Sequence, residues 1–144
     1  MKSAAEVEIF SPLEMAMLRR ARAIVERFPT KVDGKWVRCH EVARVVGAEL
    51  GLEVADGMYG GMEHSWLWTT PLDSELRAWR LPNVLDTYTP GREPQVQLIH
   101  TGPYSPIYYR KEMVHRSDIR VDVMQHLHSL LAPPELTPIS GLSL

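Results

Sequence analysis

The chain contains a single cysteine, and its position relative to one histidine and one aspartate suits covalent catalysis. Cys39 begins a helical pattern, His64 lies in the middle of a strand pattern, and Asp86 lies in the next strand pattern along the chain. A thiolate can attack a carbonyl carbon, an imidazole can carry the thiol proton, and a carboxylate can hold the imidazole in one tautomer. If the two strands pair, these residues form the constellation that a covalent acyl intermediate needs.

The expected surroundings of Cys39 favour a reactive thiol. It lies in the first turn of the helix expected for "CHEVARVVGAELG". Unpaired backbone N–H groups and the positive end of the helix dipole favour the thiolate there. Its polar neighbours Arg38 and His40 indicate an exposed side chain, whereas an inert cysteine would suit the middle of such a helix. A lone cysteine cannot form an internal disulfide, so the thiol is either available for chemistry or inert.

His64 allows a structural and a catalytic interpretation. Alternation along "MEHSWLW" places it on one strand face with Met62, Trp66 and Trp68, the face expected to line the core. A histidine in such a place is often a buried residue bonded to a backbone carbonyl. A catalytic histidine also suits the place, because it needs a fixed tautomer and restricted water, and a buried Asp86 needs a polar partner. The stretch alone favours the structural interpretation, and the three residues together favour catalysis.

Other patterns in the chain are less suited to a functional site. "HEVAR" begins like a zinc-protease helix but lacks the second histidine ligand. His126 and His128 are two residues apart on a helix and point about 200° apart, which opposes chelation of one ion. Cys39, His40 and His64 could together form a mixed metal site, but the sequence offers no fourth ligand for it. We therefore expect no metal and no other cofactor.

Two helices are expected in the first third of the chain. "SPLEMAMLRRARAIVERF" begins with Ser11 as N-cap, Pro12 at the first helical position and Glu14 closing a capping box, and it ends before the next proline. After the turn "KVDG", the segment "CHEVARVVGAELG" forms a second helix, with an apolar stripe toward the sheet and Gly51 as its left-handed cap. This second helix would carry the nucleophile.

A small sheet and a closing helix are expected in the remainder. The hydrophobic period changes to two after Gly51, and four strand segments follow: "LEVADGMY", "MEHSWLWTT", "NVLDTY" and "PQVQLI". The pattern predicts an irregular excursion at "PLDSELRAWRLP", a loop at "GPYSPIYY" and a helix capped by Ser117 at "SDIRVDVMQHLHSLLAPP". We predict an α+β fold with an antiparallel sheet, as a single domain over residues 1–134 with a loose tail over 135–144.

Composition and charge exclude several classes of protein. The 144 residues are 44% hydrophobic and 24% charged, which suits one domain with a single core. The net charge is −2 and the basic residues are scattered, so we expect no binding to nucleic acid or to a membrane. No apolar run has the length of a membrane span or of a signal peptide, which predicts a cytoplasmic protein. The sequence contains no indication of oligomeric state.

Residues 36 to 90 resemble the transglutaminase-like superfamily of papain-like cysteine enzymes. The matching residues are Cys39, Ala43, "LGL" at 50–52, "DGMY" at 56–59, "HSW" at 64–66 and "LDT" at 85–87. The resemblance implies a papain-like core, in which a nucleophile helix packs on a small antiparallel sheet between N- and C-terminal helices. It also implies that Cys39 is the nucleophile, His64 the general base and acid, and Asp86 the carboxylate that orients the imidazole.

The function expected from this resemblance is cysteine-dependent hydrolysis of a peptide or protein amide, by a peptidase, amidase or deamidase, through a thioester. An acyltransferase of the transglutaminase type, or a non-catalytic binding domain on the same fold, is the alternative. The oxyanion would be held by the Cys39 backbone N–H and a side chain, with Trp36 and Gln97 as candidates. Tyr59 and Trp66 are candidates for the pocket wall. The acyl-side groove is expected to be walled by Trp79, Tyr104, Tyr108 and Tyr109.

Overall fold

A computed structural model of the chain describes residues 10–70, 83–91, 93–100, 108–110 and 119–131. Within these ranges the chain forms three helices and two antiparallel sheets, which confirms the predicted α+β class. The elements are α1 (Pro12–Val25), β1 (Lys31–Val32), β2 (Lys35–Trp36), α2 (Cys39–Leu50), β3 (Val54–Tyr59), β4 (Met62–Trp68), β5 (Val84–Asp86), β6 (Gln97–Ile99), β7 (Tyr108–Arg110) and α3 (Val121–Ser129).

Helix α1 begins as the sequence predicts and ends earlier. The Glu14 backbone N–H donates to the Ser11 hydroxyl at 3.1 Å, and the Ser11 N–H donates to the Glu14 carboxylate at 2.9 Å. This confirms the capping box. The helix ends at Val25 and does not continue to Phe28, because the last turn tightens. The N–H groups of Arg27 and Phe28 bond to carbonyls three residues earlier instead of four.

The larger sheet has five antiparallel strands in the order β6-β5-β4-β3-β7. Strands β3 to β6 confirm the four predicted strand segments and their antiparallel pairing. Strand β7 corrects the prediction that "GPYSPIYY" is entirely loop, since Tyr108 and Tyr109 pair with β3. The physical reason is that β3 would otherwise present a row of unpaired backbone groups at that edge.

The smaller sheet is a hairpin where the sequence pattern predicted only a turn. Strands β1 and β2 pair across residues 33–34, with Lys31 opposite Trp36. Asp33 and Gly34 both have positive φ, at 50° and 78°. Two positive φ angles in succession are what a two-residue hairpin loop requires, and Asp-Gly meets that requirement with little strain. The hairpin leads directly into α2.

Helix α2 lies against one face of the larger sheet, and its close approach depends on a glycine. A Cβ atom at Gly47 would lie 2.9 Å from Leu67 Cδ2 and 3.1 Å from the Leu52 backbone oxygen, so a larger residue would force Leu67 to move and would press on the Leu52 carbonyl. The buried core between the helices and this face includes Leu18, Val42, Val45, Val46, Leu67, Leu85, Val123 and Leu127. The opposite face of the sheet carries a separate buried cluster of Ala55, Trp66 and Val84.

The carboxylate of Glu14 joins α1 to the sheet. It is buried, and it accepts hydrogen bonds from the Thr69 hydroxyl at 2.8 Å and the Asn83 side-chain amide at 2.7 Å. Burial by itself raises the pKa of Glu14. The bonds from Ser11, Thr69 and Asn83 together lower the pKa by more than burial raises it, so the carboxyl has a pKa below its ordinary value. One residue therefore caps the helix and ties it to the ends of two strands.

The closing helix is shorter at its start than predicted. Helix α3 begins at Val121, and its N-cap residue Arg120 makes no side-chain capping bond. Ser117, the predicted cap, lies outside the described residues. In the described part of the chain, no helix is both long enough and apolar enough to cross a membrane.

Candidate active site

Cys39 is the first residue of α2, as the helical pattern predicts, but its surroundings differ from the prediction. The polar neighbours Arg38 and His40 predicted an exposed thiol. In the structure Cys39 is half-buried and His40 is only 8% exposed. The reason is that the His40 ring is hydrogen-bonded to Ser65 on β4, which draws the start of the helix against the sheet.

His64 and Asp86 meet on one face of the sheet. Trp68 on β4 pairs with Val84 on β5. His64 is an even number of positions from Trp68, and Asp86 is an even number of positions from Val84, so both side chains project from the same face of the sheet. The distance between His64 Nε2 and Asp86 Oδ2 is 2.8 Å, and both side chains are buried. The structural interpretation of His64 as a residue bonded to a backbone carbonyl therefore does not account for this bond to a carboxylate.

Asp86 holds the imidazole from a fixed position. Its Oδ1 atom accepts a hydrogen bond from the Tyr88 backbone N–H at 3.1 Å, and its Oδ2 atom faces His64. Because the carboxylate only accepts, Nε2 of His64 carries the proton in this contact. Nδ1 is then the ring nitrogen left for the Cys39 sulfur.

The thiol and the imidazole change each other's protonation. Burial raises the pKa of Cys39, but hydrogen bonds and charge interactions with His40 and His64 outweigh burial and lower the pKa to about 6. Burial lowers the pKa of His64, but Asp86 and Cys39 outweigh it and raise the pKa to about 9. Between these two values the pair is a thiolate and an imidazolium, which is the reactive form of a cysteine nucleophile.

Two aromatic rings fix the plane of the His64 imidazole. The Tyr59 ring meets it edge-on at 5.7 Å between centroids, and the Trp66 ring stacks on it at 6.1 Å with 25° between the planes. Trp66 is fully buried, so it packs against the catalytic candidate and does not form a pocket wall. This corrects the expectation that Tyr59 and Trp66 line the pocket, since neither lies at the surface of the cleft described next.

A cleft of about 290 Å³ opens beside Cys39 and His64. Its walls are formed by residues 37–39, by residues 62–64 at the start of β4, by residues 88–91 after β5, and by Pro94. Tyr88 lies close enough to the sulfur that burial, followed by the negative charge of Cys39, raises the pKa of its phenol. Tyr88 was not a sequence candidate, although its position two residues after Asp86 is the signal that points to it.

Trp36 and Gln97 are not at this cleft, which corrects their interpretation as oxyanion donors. Trp36 is 63% exposed on the hairpin, and the Lys31 ammonium lies 4.3 Å from the centre of its ring. Gln97 is on strand β6, and its side-chain amide donates to Gln95 at 2.9 Å. The backbone N–H of Cys39 remains suitable, because the first N–H groups of a helix have no carbonyl partner within the helix.

Other candidates cannot be assigned to the site. Trp79 and Tyr104 lie outside the described residues, as do the side chains of Tyr108 and Tyr109. Among the described residues no group of three or more His, Cys, Asp or Glu side chains is arranged to hold a metal ion.

The pH dependence of thiol alkylation checks the geometry of the pair. We expect the rate of iodoacetamide alkylation of Cys39 to rise with pH through a midpoint near 6, because the thiolate is the reacting form. The same protein unfolded in denaturant serves as control and should show a midpoint near the ordinary thiol pKa of about 8.5. Equal midpoints in the folded and unfolded protein would contradict the pairing of Cys39 with histidine.

The thiol, the imidazole and the carboxylate come from three separate elements, α2, β4 and β5; Cys39 and His64 line one cleft, and Asp86 is buried behind His64. Their order along the chain is cysteine, histidine, aspartate, and each is buried or half-buried. Comparisons of this chain with models of protein families, with curated proteins and with solved structures give no match.

Proposed function

We propose that the protein is a cysteine hydrolase that cleaves an amide bond of a peptide or protein through Cys39, His64 and Asp86. The observation that carries the proposal is the bond of 2.8 Å between His64 and a buried aspartate, in a histidine that also interacts with a helix-start thiol. A histidine with a purely structural role does not need a thiol on one side and a carboxylate on the other. Covalent catalysis does need this arrangement, with the base between the nucleophile and the group that orients the base.

In the first half-reaction the Cys39 thiolate attacks the amide carbonyl carbon, and a carbon–sulfur bond forms. The negative charge moves to the carbonyl oxygen, where the Cys39 backbone N–H can donate a hydrogen bond. The imidazolium of His64 then gives its Nδ1 proton to the leaving nitrogen as the carbon–nitrogen bond breaks. An amine or ammonia leaves, and the acyl group remains on sulfur as a thioester.

In the second half-reaction neutral His64 takes a proton from water, and the resulting hydroxide attacks the thioester carbon. The carbon–sulfur bond breaks, a carboxylic acid leaves, and the thiolate and the imidazolium are restored. Asp86 keeps Nε2 protonated throughout, so that Nδ1 is the nitrogen that exchanges the proton. No oxidant or cofactor enters this sequence.

The architecture of the described elements agrees with a papain-like, transglutaminase-like core. A helix with cysteine as its first residue packs on an antiparallel sheet, and the histidine and the aspartate are on neighbouring strands of that sheet. We therefore propose that the resemblance of residues 36 to 90 reflects this fold. Protein acyl transfer is the alternative within the same fold, since an amine can replace water in the second half-reaction.

The test of the proposal is a competition between water and an amine. Incubation with a library of glutamine-containing peptides and a labelled primary amine, with products followed by mass spectrometry, should give more hydrolysis or deamidation than amine incorporation. The reason is that water greatly exceeds the amine in concentration and reaches the sulfur through the same cleft. Cys39→Ala is the matched control and should give neither product.

Two other outcomes would change the proposal. Amine incorporation that exceeds hydrolysis at millimolar amine would assign the protein to the acyltransferases. An absence of any product, together with slow alkylation of Cys39, would favour a non-catalytic binding domain on this fold.

A further inference from the structure

A second histidine, His40, reaches the reacting sulfur from a separate polar chain. Its ring is almost fully buried, and Nδ1 lies 2.6 Å from the Ser65 hydroxyl. The Ser65 hydroxyl donates to Asp56 Oδ1 at 2.5 Å, and the Arg44 guanidinium donates to Asp56 Oδ2 at 2.7 Å. Arg44 also donates to the His40 backbone carbonyl at 3.1 Å, so the chain closes on itself.

The direction of these bonds determines where the His40 proton is. A hydroxyl has one proton, and Ser65 uses it toward Asp56, because a carboxylate can only accept. Ser65 is therefore an acceptor toward His40, and Nδ1 of His40 must carry a proton. Any proton that His40 gains or loses is then on Nε2, the other ring nitrogen.

The contacts of His40 resemble those of His64 with Asp86, except that the Ser65 hydroxyl lies between the His40 ring and the Asp56 carboxylate. In both cases a buried or half-buried aspartate holds one ring nitrogen, which leaves the other nitrogen for chemistry. Cys39 interacts with both rings, and the contribution of His40 to lowering the thiol pKa is as direct as that of His64. The proposed amide hydrolysis does not by itself require a second imidazole.

We propose that His40 is a second proton-accepting partner of the Cys39 sulfur, with Nε2 directed at the sulfur and the ring positioned by Ser65, Asp56 and Arg44. The step is a transfer of the thiol proton to Nε2, which leaves a thiolate and an imidazolium side by side. This inference deepens the proposed function, because it rests on Cys39 being the nucleophile. It adds that, in the free enzyme before substrate attack, either imidazole can accept the thiol proton and stabilise the thiolate.

The charged groups around His40 come from three elements. Cys39 and Arg44 are on its own helix, Asp56 is on β3, and His64 approaches the same sulfur from β4. The ion pair of Arg44 and Asp56 carries no net charge, so the groups that interact directly with the sulfur are the two imidazoles. Removal of one imidazole should therefore leave the other able to stabilise the thiolate.

The experiment is the pH profile of Cys39 alkylation by iodoacetamide in the full chain, measured for the wild type, His40→Asn, His64→Ala and the double variant. Asparagine can still donate to Ser65 from the position of Nδ1, but it has no group in the position of Nε2. We expect His40→Asn to raise the alkylation midpoint by about one pH unit, which is about a fivefold slower rate at pH 6. The double variant should reach the ordinary midpoint of about 8.5, and His64→Ala alone should remain below it.

A second pair of variants separates contact with sulfur from support of the fold. His40→Gln places an amide donor near the position of Nε2, so it should recover part of the thiolate that His40→Asn loses. If His40→Asn does not fold, Ser65→Ala gives the same readout, with a smaller shift in the same direction because the ring loses its fixed orientation. An unchanged midpoint in either folded variant would overturn the proposal.

This result is separable from the test of hydrolysis. Alkylation requires no substrate, so shifted profiles without any amide product would retain the role of His40 in thiol ionisation and remove the hydrolase proposal. Amide turnover with an unchanged alkylation profile in His40→Asn would support the hydrolase proposal and remove the role of His40 in thiol ionisation.

Discussion

Replacement of His64 by alanine is expected to reduce amide turnover by about four orders of magnitude while the fold remains. The imidazole is the group that gives a proton to the leaving nitrogen and then activates water, and Asp86 holds it in the required tautomer. The measurement is the initial rate of hydrolysis of a peptide amide at pH 7.5, with circular dichroism to check the fold. His126→Ala is the matched control, because His126 is exposed on α3 and away from the cleft.

Asp86→Asn tests the same mechanism with a smaller change in shape. The Tyr88 backbone N–H needs an acceptor, so the asparagine oxygen is expected to replace Oδ1 at that contact. The amide NH2 group then faces Nε2 of His64, which moves the imidazole proton to Nδ1 and removes the base from the sulfur. We expect a large loss of turnover for this variant as well. If either variant unfolds, a structural role for that residue becomes the better explanation.

Replacement of Glu14 by alanine is expected to produce the largest loss of stability away from the cleft. Three groups lose their acceptor, namely the Ser11 N–H, the Thr69 hydroxyl and the Asn83 amide. Buried donors without a partner cost about 1–3 kcal/mol each, so we expect a decrease of about 4 kcal/mol in the free energy of unfolding. Equilibrium unfolding in urea measures it, and Glu26→Ala, an exposed glutamate at the end of the same helix, should change stability by less than about 0.5 kcal/mol.

Acid should reduce the difference in the free energy of unfolding between the wild type and Glu14→Gln. The pKa of Glu14 is lower in the folded protein than in the unfolded chain, so the folded state is stabilised above the unfolded pKa. That stabilisation is lost as the pH falls through the folded pKa, because the carboxylate becomes protonated and its two oxygens are no longer equal acceptors. A stability difference that is independent of pH would contradict this account of the Glu14 contacts.

Local patterns in the sequence were sufficient for the features that depend on neighbouring residues. Ser11, Pro12 and Glu14 form the predicted capping box, since a capping box involves residues three positions apart. The change of period after Gly51 predicted the strands because alternation is a local consequence of strand geometry. The first-turn position of Cys39 followed in the same way from the helical stripe. The strand hydrogen bonds that set the register between β4 and β5 did not follow from any such pattern.

Features that depend on contacts between distant residues were decided only by the tertiary structure. Ser65 is 25 positions from His40, yet their bond draws the start of α2 against the sheet, where Cys39 is half-buried although the sequence predicted it to be exposed. Trp36 and Gln97 looked suitable by position in the chain, but Trp36 lies against Lys31 on the hairpin, and Gln97, although it pairs with Asp86, bonds to Gln95 and does not line the cleft. The sequence by itself determined which elements form and which residue types they carry to the sheet. Only the packing of α2 on β3 and β4 decided which of those side chains meet the sulfur, because the orientation of a side chain across an interface depends on register and distance that no local pattern encodes.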